Sequence, residues 1–345
     1  MEEGVNMKVS LAVSTYNSAK TLRPCIESLI NTDWPDKEIL VVDDGSTDES
    51  LEILWSYPQI KVLPQNHQGV SAGRDLALRN ASGEIICYTD SDCEVDRNWI
   101  KELIKPLDNP EVGAVTGRTD FRTDDRCTSW VRSLDIAERY DHRKTWTELA
   151  NGTNCAFRRD LLISLGGFDP KWFHAEDTEV SYQLLKSGHK IYYQPTAKVR
   201  HVPEGDWKSY LRKRYRGTKA HLRMMPKYHT DVVKDDFVSL KMMVQPVLYT
   251  LMTGLLMVLP ITLICSLLGF SGCWILSGWI NGVIIVLFSL GMMTEISLIS
   301  KVVNRSRKPS FLIKSLGLLS AKSVMIGWGV ICGVWLNFIR RPKLQ

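Results

Sequence analysis

Apolar and polar residues alternate along the first part of the chain in a way that predicts strands and helices in turn. Short β-rich runs occupy residues 9–14, 38–42, 60–63 and 84–89. Between them, Leu22, Ile26 and Leu29 recur at helical spacing, and residues 69–81 form a second helical stretch. Strands that alternate with helices at this spacing predict an α/β fold, with a mostly parallel sheet covered by helices on both faces.

Beyond about residue 241, long apolar tracts replace this pattern. Three stretches, at about 246–270, 274–295 and 316–339, approach the roughly 20 apolar residues that cross a bilayer. We therefore expect a soluble domain over residues 1–230 and a membrane region over residues 231–345, with two or three transmembrane helices. The third stretch contains Lys322 and ends at Arg340 and Arg341. A crossing would place these arginines outside, against the charge rule, whereas an interfacial or re-entrant helix would not.

Charge is concentrated at the junction of these two regions. The net charge is only +5, but residues 207–227 are strongly basic and contain Trp207, Tyr210 and Tyr215. The basic residues are Lys208, Arg212, Lys213, Arg214, Arg216, Lys219, Arg223 and Lys227. Such a segment is typical of the cytoplasmic approach to a bilayer, and it also suits phosphates of a nucleotide or of a lipid acceptor. We interpret it in these terms and not as a nucleic-acid site.

The eight cysteines predict a reducing compartment. None forms a C-x-x-C pair or a metal-like spacing, and several lie inside apolar runs, where a small core residue is expected. The first residues show no charged start followed by an apolar stretch and a cleavage site. We therefore expect a catalytic domain that faces the cytoplasm from the cell membrane.

Candidate chemistry lies where the predicted strands end. Asp90 and Asp92 directly follow one apolar run, and Ser14 and Asp43 end two others. The carboxyl ends of parallel strands meet at one edge of a sheet, where ligands bind. Two neighbouring carboxylates there favour a hard divalent cation, Mg2+ or Mn2+, and the alternative is a pair of solvated acids.

Other phosphate chemistries do not fit. The chain shows neither a G-x-G-x-x-G nor a G-x-x-x-x-G-K-[ST] loop, so neither a dinucleotide fold nor a P-loop explains the site. A phosphatase with a nucleophilic Asp expects Thr or Val two residues after the second Asp, and Glu94 stands there.

The ordered set of motifs resembles the family 2 glycosyltransferases over about residues 8 to 203. The motifs in the first half are Ser14-Thr15-Tyr16-Asn17, Val42-Asp43-Asp44-Gly45-Ser46, Asn66-x-x-Gly69-x-x-x-x-Arg74 and Asp90-Ser91-Asp92. Those in the second half are Asn151-Gly152-Thr153-Asn154, Gly166-Gly167-Phe168-Asp169, Glu176-Asp177 and Val199-Arg200-His201. The resemblance implies a GT-A fold and inverting transfer of a sugar from a nucleotide diphosphate. Asp75 departs from the Asn that the family commonly has after the Arg.

On the donor side, the resemblance assigns Ser14, Tyr16 and Asp44 to the nucleoside and Arg74 to the nucleotide or its diphosphate. The alternative for the Asp43 to Ser46 segment is a strand-to-helix turn in which Ser46 caps the helix. The alternative for Arg74 is an exposed helix residue that pairs with Asp75 or another neighbour.

The same resemblance gives Asp90 a place near the ribose and the metal, and makes Asp92 a metal ligand. His201 follows a β-like segment at residues 190–199 and completes the metal shell, which favours Mn2+; an ordinary polar contact is the alternative. The cofactor is thus Mg2+ or Mn2+.

On the acceptor side, Asp177 is the expected general base and Glu176 is expected to orient the acceptor. Acids are also favoured in the first turn of a helix by the helix dipole, whatever their function. The expected partners are a nucleotide-diphosphate sugar and a membrane acceptor, either a polyprenyl phosphate or a lipid-linked glycan. The rival functions are a nucleotidyltransferase and a non-catalytic, membrane-tethered protein that binds sugar nucleotides.

Overall fold

The computed structural model describes residues 7–172, 175–203, 205–228, 240–270 and 272–339. These residues fall into two compact units. The first contains residues 7–122 and 136–203, and the second contains 123–135, 205–228 and 240–339. The predicted domain boundary at residue 230 lies outside the described residues.

The first unit is built on nine strands. They are β1 Val9–Thr15, β2 Lys37–Asp43, β3 Lys61–Pro64, β4 Ile85–Asp90, β5 Cys93–Val95, β6 Val112–Phe121, β7 Trp146–Thr147, β8 Asn154–Arg158 and β9 Lys190–His201. The helices up to this point of the chain are α1 Ala19–Ile30, α2 Ser50–Trp55, α3 Val70–Asn80, α4 Trp99–Ile104, α5 Cys127–Asp141, α6 Arg159–Ser164 and α7 Glu176–Lys186. The boundary between the units falls within α5.

The strands form one mixed sheet in the order β3-β2-β1-β4-β8-β6-β9-β5, and β7 pairs with β9. The first four strands in this order are parallel, as the alternation of strands and helices predicted. Strand β8 lies between β4 and β6 and runs antiparallel to both, and β5 runs antiparallel to β9. The α/β fold class is confirmed, and antiparallel pairing occurs beside and beyond β4.

The register of the parallel strands aligns their polar ends. Ser14 pairs with Val42 on one side and with Asp90 on the other, and Thr15 pairs with Asp43. The three strand tips therefore lie at one edge of the sheet, as the sequence predicted.

Both faces of the sheet are buried, which explains why its strands are continuous apolar runs. On one face, Leu11 and Val13 pack in a cluster with Ile26 of α1. On the other, Leu40 and Tyr88 pack in a cluster with residues of α3, α6 and α7. The core thus fixes the strand ends from both sides.

The second unit contains the long helices of the chain: α8 Trp207–Tyr228, α9 Leu240–Leu267, α10 Gly272–Ser306 and α11 Phe311–Ile339. By length and composition, three helical segments among the described residues suit a membrane crossing: Val247–Leu267, Gly272–Ser306 and Phe311–Trp335. These apolar helices indicate association with a membrane. The 35 residues of α10 extend about 52 Å, well beyond the roughly 30 Å of a hydrocarbon core. Arg340 and Arg341 lie outside the described residues.

Candidate active site

Asp90 ends β4 and has a hydrogen-bond partner on each carboxylate oxygen. Arg74 Nη2 donates to Oδ1 at 2.8 Å, and Thr153 Oγ1 donates to Oδ2 at 2.8 Å. Burial opposes the charge on Asp90, but Arg74, His201 and the Thr153 hydroxyl outweigh it and hold the pKa of this carboxyl below its ordinary value. Asp90 is therefore an ionised acid held by internal partners.

Arg74 joins this strand tip to the start of α7. Its side chain is buried, and its Nη1 donates to Glu176 Oε1 at 2.6 Å while Nη2 binds Asp90. Burial disfavours the guanidinium charge, yet the carboxylates of Glu176 and Asp90 raise the pKa of Arg74 above its ordinary value. The alternative of an exposed helix arginine paired with Asp75 is wrong, because α3 directs Arg74 into the interior.

Glu176 is the buried partner of this arginine. Only 7% of the residue is exposed, and burial raises the pKa of its carboxyl above its ordinary value, while Arg74 lowers it. One planar guanidinium thus holds two acids that lie 86 positions apart in the chain. This geometry uses the fork of arginine, which a lysine cannot reproduce.

Gly152 supplies the space for the arginine. A Cβ at this position would lie 2.2 Å from Arg74 Nη1, so any side chain would collide with the guanidinium. The N–H of the same residue donates to Asp177 Oδ2 at 3.3 Å. The segment before β8 therefore touches both the arginine and the predicted base.

Asp177 lies in the first turn of α7, as predicted. Its side chain is half-buried, and its Oδ1 accepts from the N–H and the hydroxyl of Thr178 at 2.7 and 3.3 Å. The N-terminal end of a helix attracts negative charge, which suits a carboxylate at this position.

Asp92 and His201 form a second group of donors. Asp92 lies in the turn between β4 and β5, and β5 pairs with β9 so that Cys93 stands opposite His201. His201 Nε2 is 3.3 Å from Asp92 Oδ1. The ring also stacks on Phe121, with centroids 4.3 Å apart, which fixes its plane.

The hydrogen bonds of His201 define which ring nitrogen faces the acid. Nδ1 lies 2.8 Å from the carbonyl oxygen of Val202; a carbonyl only accepts, so Nδ1 carries the proton and donates. In the neutral ring, Nε2 is then an unprotonated acceptor that faces the Asp92 carboxylate. Two acceptors at this distance are brought together either by a proton, as an imidazolium, or by a cation.

The donor atoms of Asp92, Cys93 and His201 lie within 4.8 Å of one another, an arrangement that can hold a metal ion. Burial and the nearby acids raise the pKa of the Cys93 thiol well above its ordinary value, and hard cations such as Mg2+ and Mn2+ prefer oxygen and nitrogen ligands to sulfur. One carboxylate and one imidazole remain, and both are ligand types that divalent cations accept.

Tyr16, in the loop after β1, is 44% exposed and stacks on His67 with ring centroids 4.0 Å apart. Ser14 is half-buried, and a Cβ at Gly73 would lie 2.2 Å from its hydroxyl, so α3 approaches the strand tip closely. The stacked rings of Tyr16 and His67 thus form an exposed aromatic surface beside the sheet edge, next to Ser14.

Asp44 is buried and holds the loop before α3. Its oxygens accept from the N–H groups of Gln68 and Gly69, both at 2.8 Å, and from the side chain of Gln65 at 2.6 Å. His67 Nδ1 lies 2.9 Å from the same carboxylate. Asp44 thus positions the loop that carries His67 beneath Tyr16.

The turn after β2 differs from the predicted helix cap. Helix α2 begins at Ser50, and Ser46 instead donates its N–H to Asp43 Oδ2 at 3.1 Å and accepts from the N–H of Asn17. The interpretation of Ser46 as an N-cap is wrong. Its hydroxyl ties this turn to the loop after β1, which carries Tyr16.

Asp75, where the family commonly has Asn, contacts the turn between α6 and α7. Its Oδ1 accepts from the N–H of Phe168 at 3.2 Å, and a Cβ at Gly167, where φ is 76°, would lie 2.2 Å from the same atom. Ser71 donates to the carbonyl of Asp169, and Arg79 donates to that of Gly166, at 2.8 and 2.9 Å. Helix α3 therefore holds the turn between α6 and α7.

The structure brings together most of the predicted site residues in two groups, Asp90 with Arg74 and Glu176, and Asp92 with His201. It adds His67 and Thr153, to which the sequence assigned no function. Thr153 lies inside the Asn151 to Asn154 motif, so the motif itself was the available signal. Only the fold reveals that its hydroxyl faces Asp90.

Comparison with known proteins matches residues 10–166 to the family model described as Glycosyl transferase family 2. The probable glycosyltransferase YdaM of Bacillus subtilis is 28% identical over 241 residues, covering 64% of this chain and 57% of that protein. The poly-beta-1,6-N-acetyl-D-glucosamine synthase of Staphylococcus epidermidis is 27% identical over 230 residues, covering 62% of this chain and 56% of that protein. The chain thus spans little more than half the length of these relatives.

Among solved structures, the mannosyltransferase PcManGT of Pyrobaculum calidifontis, in complex with GDP-Man and Mn2+, is similar with a TM-score of 0.56. The identity is 20%, and the alignment covers 94% of this chain and 87% of that protein. At this identity the similarity concerns the fold, and it agrees with the GT-A fold that the motifs implied. Residues 10–166, a little under half of the chain, therefore match the family 2 glycosyltransferases.

Proposed function

We propose that the protein is an inverting glycosyltransferase that moves a sugar from a nucleotide-diphosphate donor to a membrane-associated acceptor. One observation carries this proposal. Arg74 bonds Asp90 at the strand tip and Glu176 beside the predicted base, and Gly152 contacts Arg74 and bonds Asp177. Residues expected on the donor side and on the acceptor side thus belong to one connected network.

The donor base is proposed to lie against Tyr16. Its exposed ring, supported from below by His67, offers the flat apolar surface that a nucleobase needs. Ser14 and Asp44 are the polar residues proposed beside it. Arg74, whose two Nη atoms already bind acids, is proposed to act on the donor through Asp90.

The residues proposed to hold a divalent cation are Asp92 and His201, with Asp90 on the other side of the same turn. A bound cation would neutralise charge on the diphosphate as it leaves. The chain contributes the fixed plane of the His201 ring, held by Phe121, and the tautomer that points Nε2 towards Asp92. The imidazole ligand favours Mn2+ over Mg2+.

Asp177 is proposed to accept the proton of the acceptor hydroxyl as that oxygen attacks the anomeric carbon. The bond to the diphosphate breaks on the opposite face of the sugar, so the configuration inverts. The N–H of Gly152 orients the carboxylate. Glu176, which is buried against Arg74, is proposed to position the arginine and not to contact the acceptor.

The acceptor is proposed to be a polyprenyl phosphate or a lipid-linked glycan. The three apolar helices and the basic face of α8, with Lys208, Arg212 and Lys213 exposed, support an acceptor at a membrane surface. The name of the staphylococcal relative, a glycan synthase, supports the same class. The basic residues Lys301 to Lys308 and those of α8 support a catalytic domain on the cytoplasmic face.

The test uses the purified full-length protein in lipid nanodiscs with a panel of nucleotide sugars, with and without Mn2+. Asp177→Asn is expected to lower transfer by at least about 100-fold, the usual contribution of a general base, while donor affinity stays within a few-fold of wild type.

Asp160→Asn is the matched control, because Asp160 is also an acid in the first turn of a helix, α6, and is 93% exposed. It is expected to retain full activity. Equal activity of wild type and Asp177→Asn would remove the proposed base. Release of pyrophosphate from a nucleoside triphosphate would instead identify a nucleotidyltransferase, and no turnover of any donor would favour a binding protein.

A further inference from the structure

The second unit shows where the third apolar helix lies. We propose that α11 does not cross the bilayer but lies in the headgroup layer beside α8, so that the chain crosses the membrane only twice, through α9 and α10. This inference is independent of the proposed catalytic function. It follows from what α11 contacts along its length.

Three positions on one face of α11 have polar neighbours. Ser315, Lys322 and Gly329 are spaced by seven residues, so they share a face and span about 21 Å. Ser315 Oγ is 3.3 Å from Cys127 Sγ at the start of α5. Lys322 Nζ donates to Glu295 Oε1 at 2.9 Å, and both side chains are buried.

The surroundings of α5 are those of a segment in water. Asp124 forms an ion pair with Arg126, and Asp125 lies 2.5 Å from Lys308 Nζ. Further along α5, Val131 and Leu134 pack in one cluster with Leu318 of α11. The first half of α11 therefore rests on a charged segment that has no place in hydrocarbon.

The second half of α11 lies against the basic helix. A Cβ at Gly329 would be 3.2 Å from the carbonyl oxygen of Tyr215 and 3.2 Å from Thr218 Cβ, so the glycine allows the two helices to touch. Helix α8 contains no Asp or Glu, and up to residue 220 its exposed basic residues are Lys208, Arg212, Lys213 and Arg216.

These contacts make a crossing by α11 costly. If α11 spanned the bilayer, α8 would accompany it, and each Arg or Lys brought to the centre would lose its hydration at a large cost in free energy. At the membrane surface the same residues face anionic headgroups, which attract them. The charge of α8 therefore favours a surface position for both helices.

The contacts of α11 with the other two apolar helices also indicate that it lies at the membrane surface. Glu295, the partner of Lys322, lies 23 residues after the start of α10, about 35 Å along it and beyond a roughly 30 Å hydrocarbon core. A Cβ at Gly327 would lie 2.4 Å from the carbonyl oxygen of Tyr249, near the first residue of the apolar segment Val247–Leu267. Helix α11 thus meets α9 and α10 at the same membrane surface.

The outward face of α11 suits the headgroup layer. It exposes Leu312, Ile313, Trp328 and Trp335. Apolar residues with tryptophan on one face, beside a basic helix, are typical of a helix that lies in the interface, with its apolar side towards the acyl chains. The partner of this surface is therefore the bilayer itself.

The test reads the sidedness of the full chain in bacterial membranes. Fluorescent-protein and alkaline-phosphatase reporters are fused after Gln345, and in separate proteins are inserted between Arg307 and Lys308. Insertion at Gly269 in the α9–α10 turn is the control for the opposite side. We expect the Gln345 and 307–308 reporters to report the same side. Opposite sides for these two would overturn the proposal.

A second measurement does not depend on fusions. Trp328→Lys is expected to keep the level of membrane-inserted protein within about twofold of wild type, because a lysine in the interface reaches water. Ile285→Lys, at an exposed position in the middle of α10, is the matched control and is expected to lower that level several-fold. Equal losses for the two variants would show that α11 crosses.

Discussion

The two acids at the tip of β4 are two residues apart and equally exposed, at 31% and 33% of their side chains, yet their surroundings differ. Asp90 has hydrogen bonds from Arg74 and Thr153 on its two oxygens. Asp92 faces an acceptor nitrogen of His201 at 3.3 Å, too long for a strong hydrogen bond. Asp90 is thus held by internal hydrogen bonds, and Asp92 is the residue that we propose as a cation ligand. In this proposal the Asp-x-Asp motif combines a structural acid with a metal-binding one.

The largest effect is expected from removing the arginine that binds Asp90. Arg74→Met would leave Glu176 buried, and Asp90 half-buried, without their shared partner, and loss of one member of a buried ion pair costs about 3–5 kcal/mol. We expect the free energy of unfolding of the first unit to fall by this amount, as measured by denaturant titration of the detergent-solubilised protein.

Arg79→Met on the same helix is the control for this variant. Arg79 is 46% exposed and lies 3.4 Å from Asp75, a geometry that contributes about 1 kcal/mol or less. Adding Glu176→Gln to Arg74→Met is expected to recover part of the lost stability. Equal stability of Arg74→Met and wild type would contradict the structural role of the arginine.

Replacing Asp92 is expected to have a smaller effect, which lowers Mn2+ affinity and leaves the protein folded. Asp92→Asn removes an anionic ligand, and even loss of an outer partner commonly costs about 10–100-fold in metal affinity. We expect Mn2+ affinity to fall by at least about 100-fold, measured from the paramagnetic resonance signal of free Mn2+. Glu94→Gln, which alters the acid two residues further along in β5 that pairs with Arg122, should leave the affinity unchanged. If both variants bind Mn2+ like wild type, Asp92 is not a ligand.

The smallest effect is expected from replacing Phe121, whose ring stacks on that of His201. Phe121→Leu removes an aromatic pair of about 0.5–1.5 kcal/mol and lets the His201 ring turn. We expect Mn2+ affinity to fall between about two- and tenfold, while Phe121→Tyr, which keeps the ring, should bind as wild type does. An unchanged affinity in Phe121→Leu would mean that the Val202 carbonyl alone fixes His201.

The sequence predicted the sheet edge because its signal is local. Each strand is an apolar run that ends in a polar residue, so the positions of Ser14, Asp43 and Asp90 followed from the order of strands and helices. Strand β8 could not be predicted in this way. A run of five residues, Asn154–Arg158, carries no sign of its direction, and its antiparallel insertion beside β4 depends on tertiary packing.

The partners of the site residues were the least predictable part. Glu176 and Arg74 are far apart in the chain, and nothing local indicates that one guanidinium bridges Glu176 and Asp90. From the sequence, the helix dipole alone could explain an acid at position 176. The structure adds the buried ion pair between Glu176 and Arg74. For Ser46, the local capping pattern was misleading, because the hydroxyl bonds a loop 29 residues away.

Gly152 has a consequence for the width of the site. The guanidinium of Arg74 lies against its α-carbon, while its amide binds the carboxylate of Asp177. The two contacts are made by neighbouring atoms of one residue. A displacement of this segment would therefore change the arginine contact and the base contact together, and with them the distance across the site.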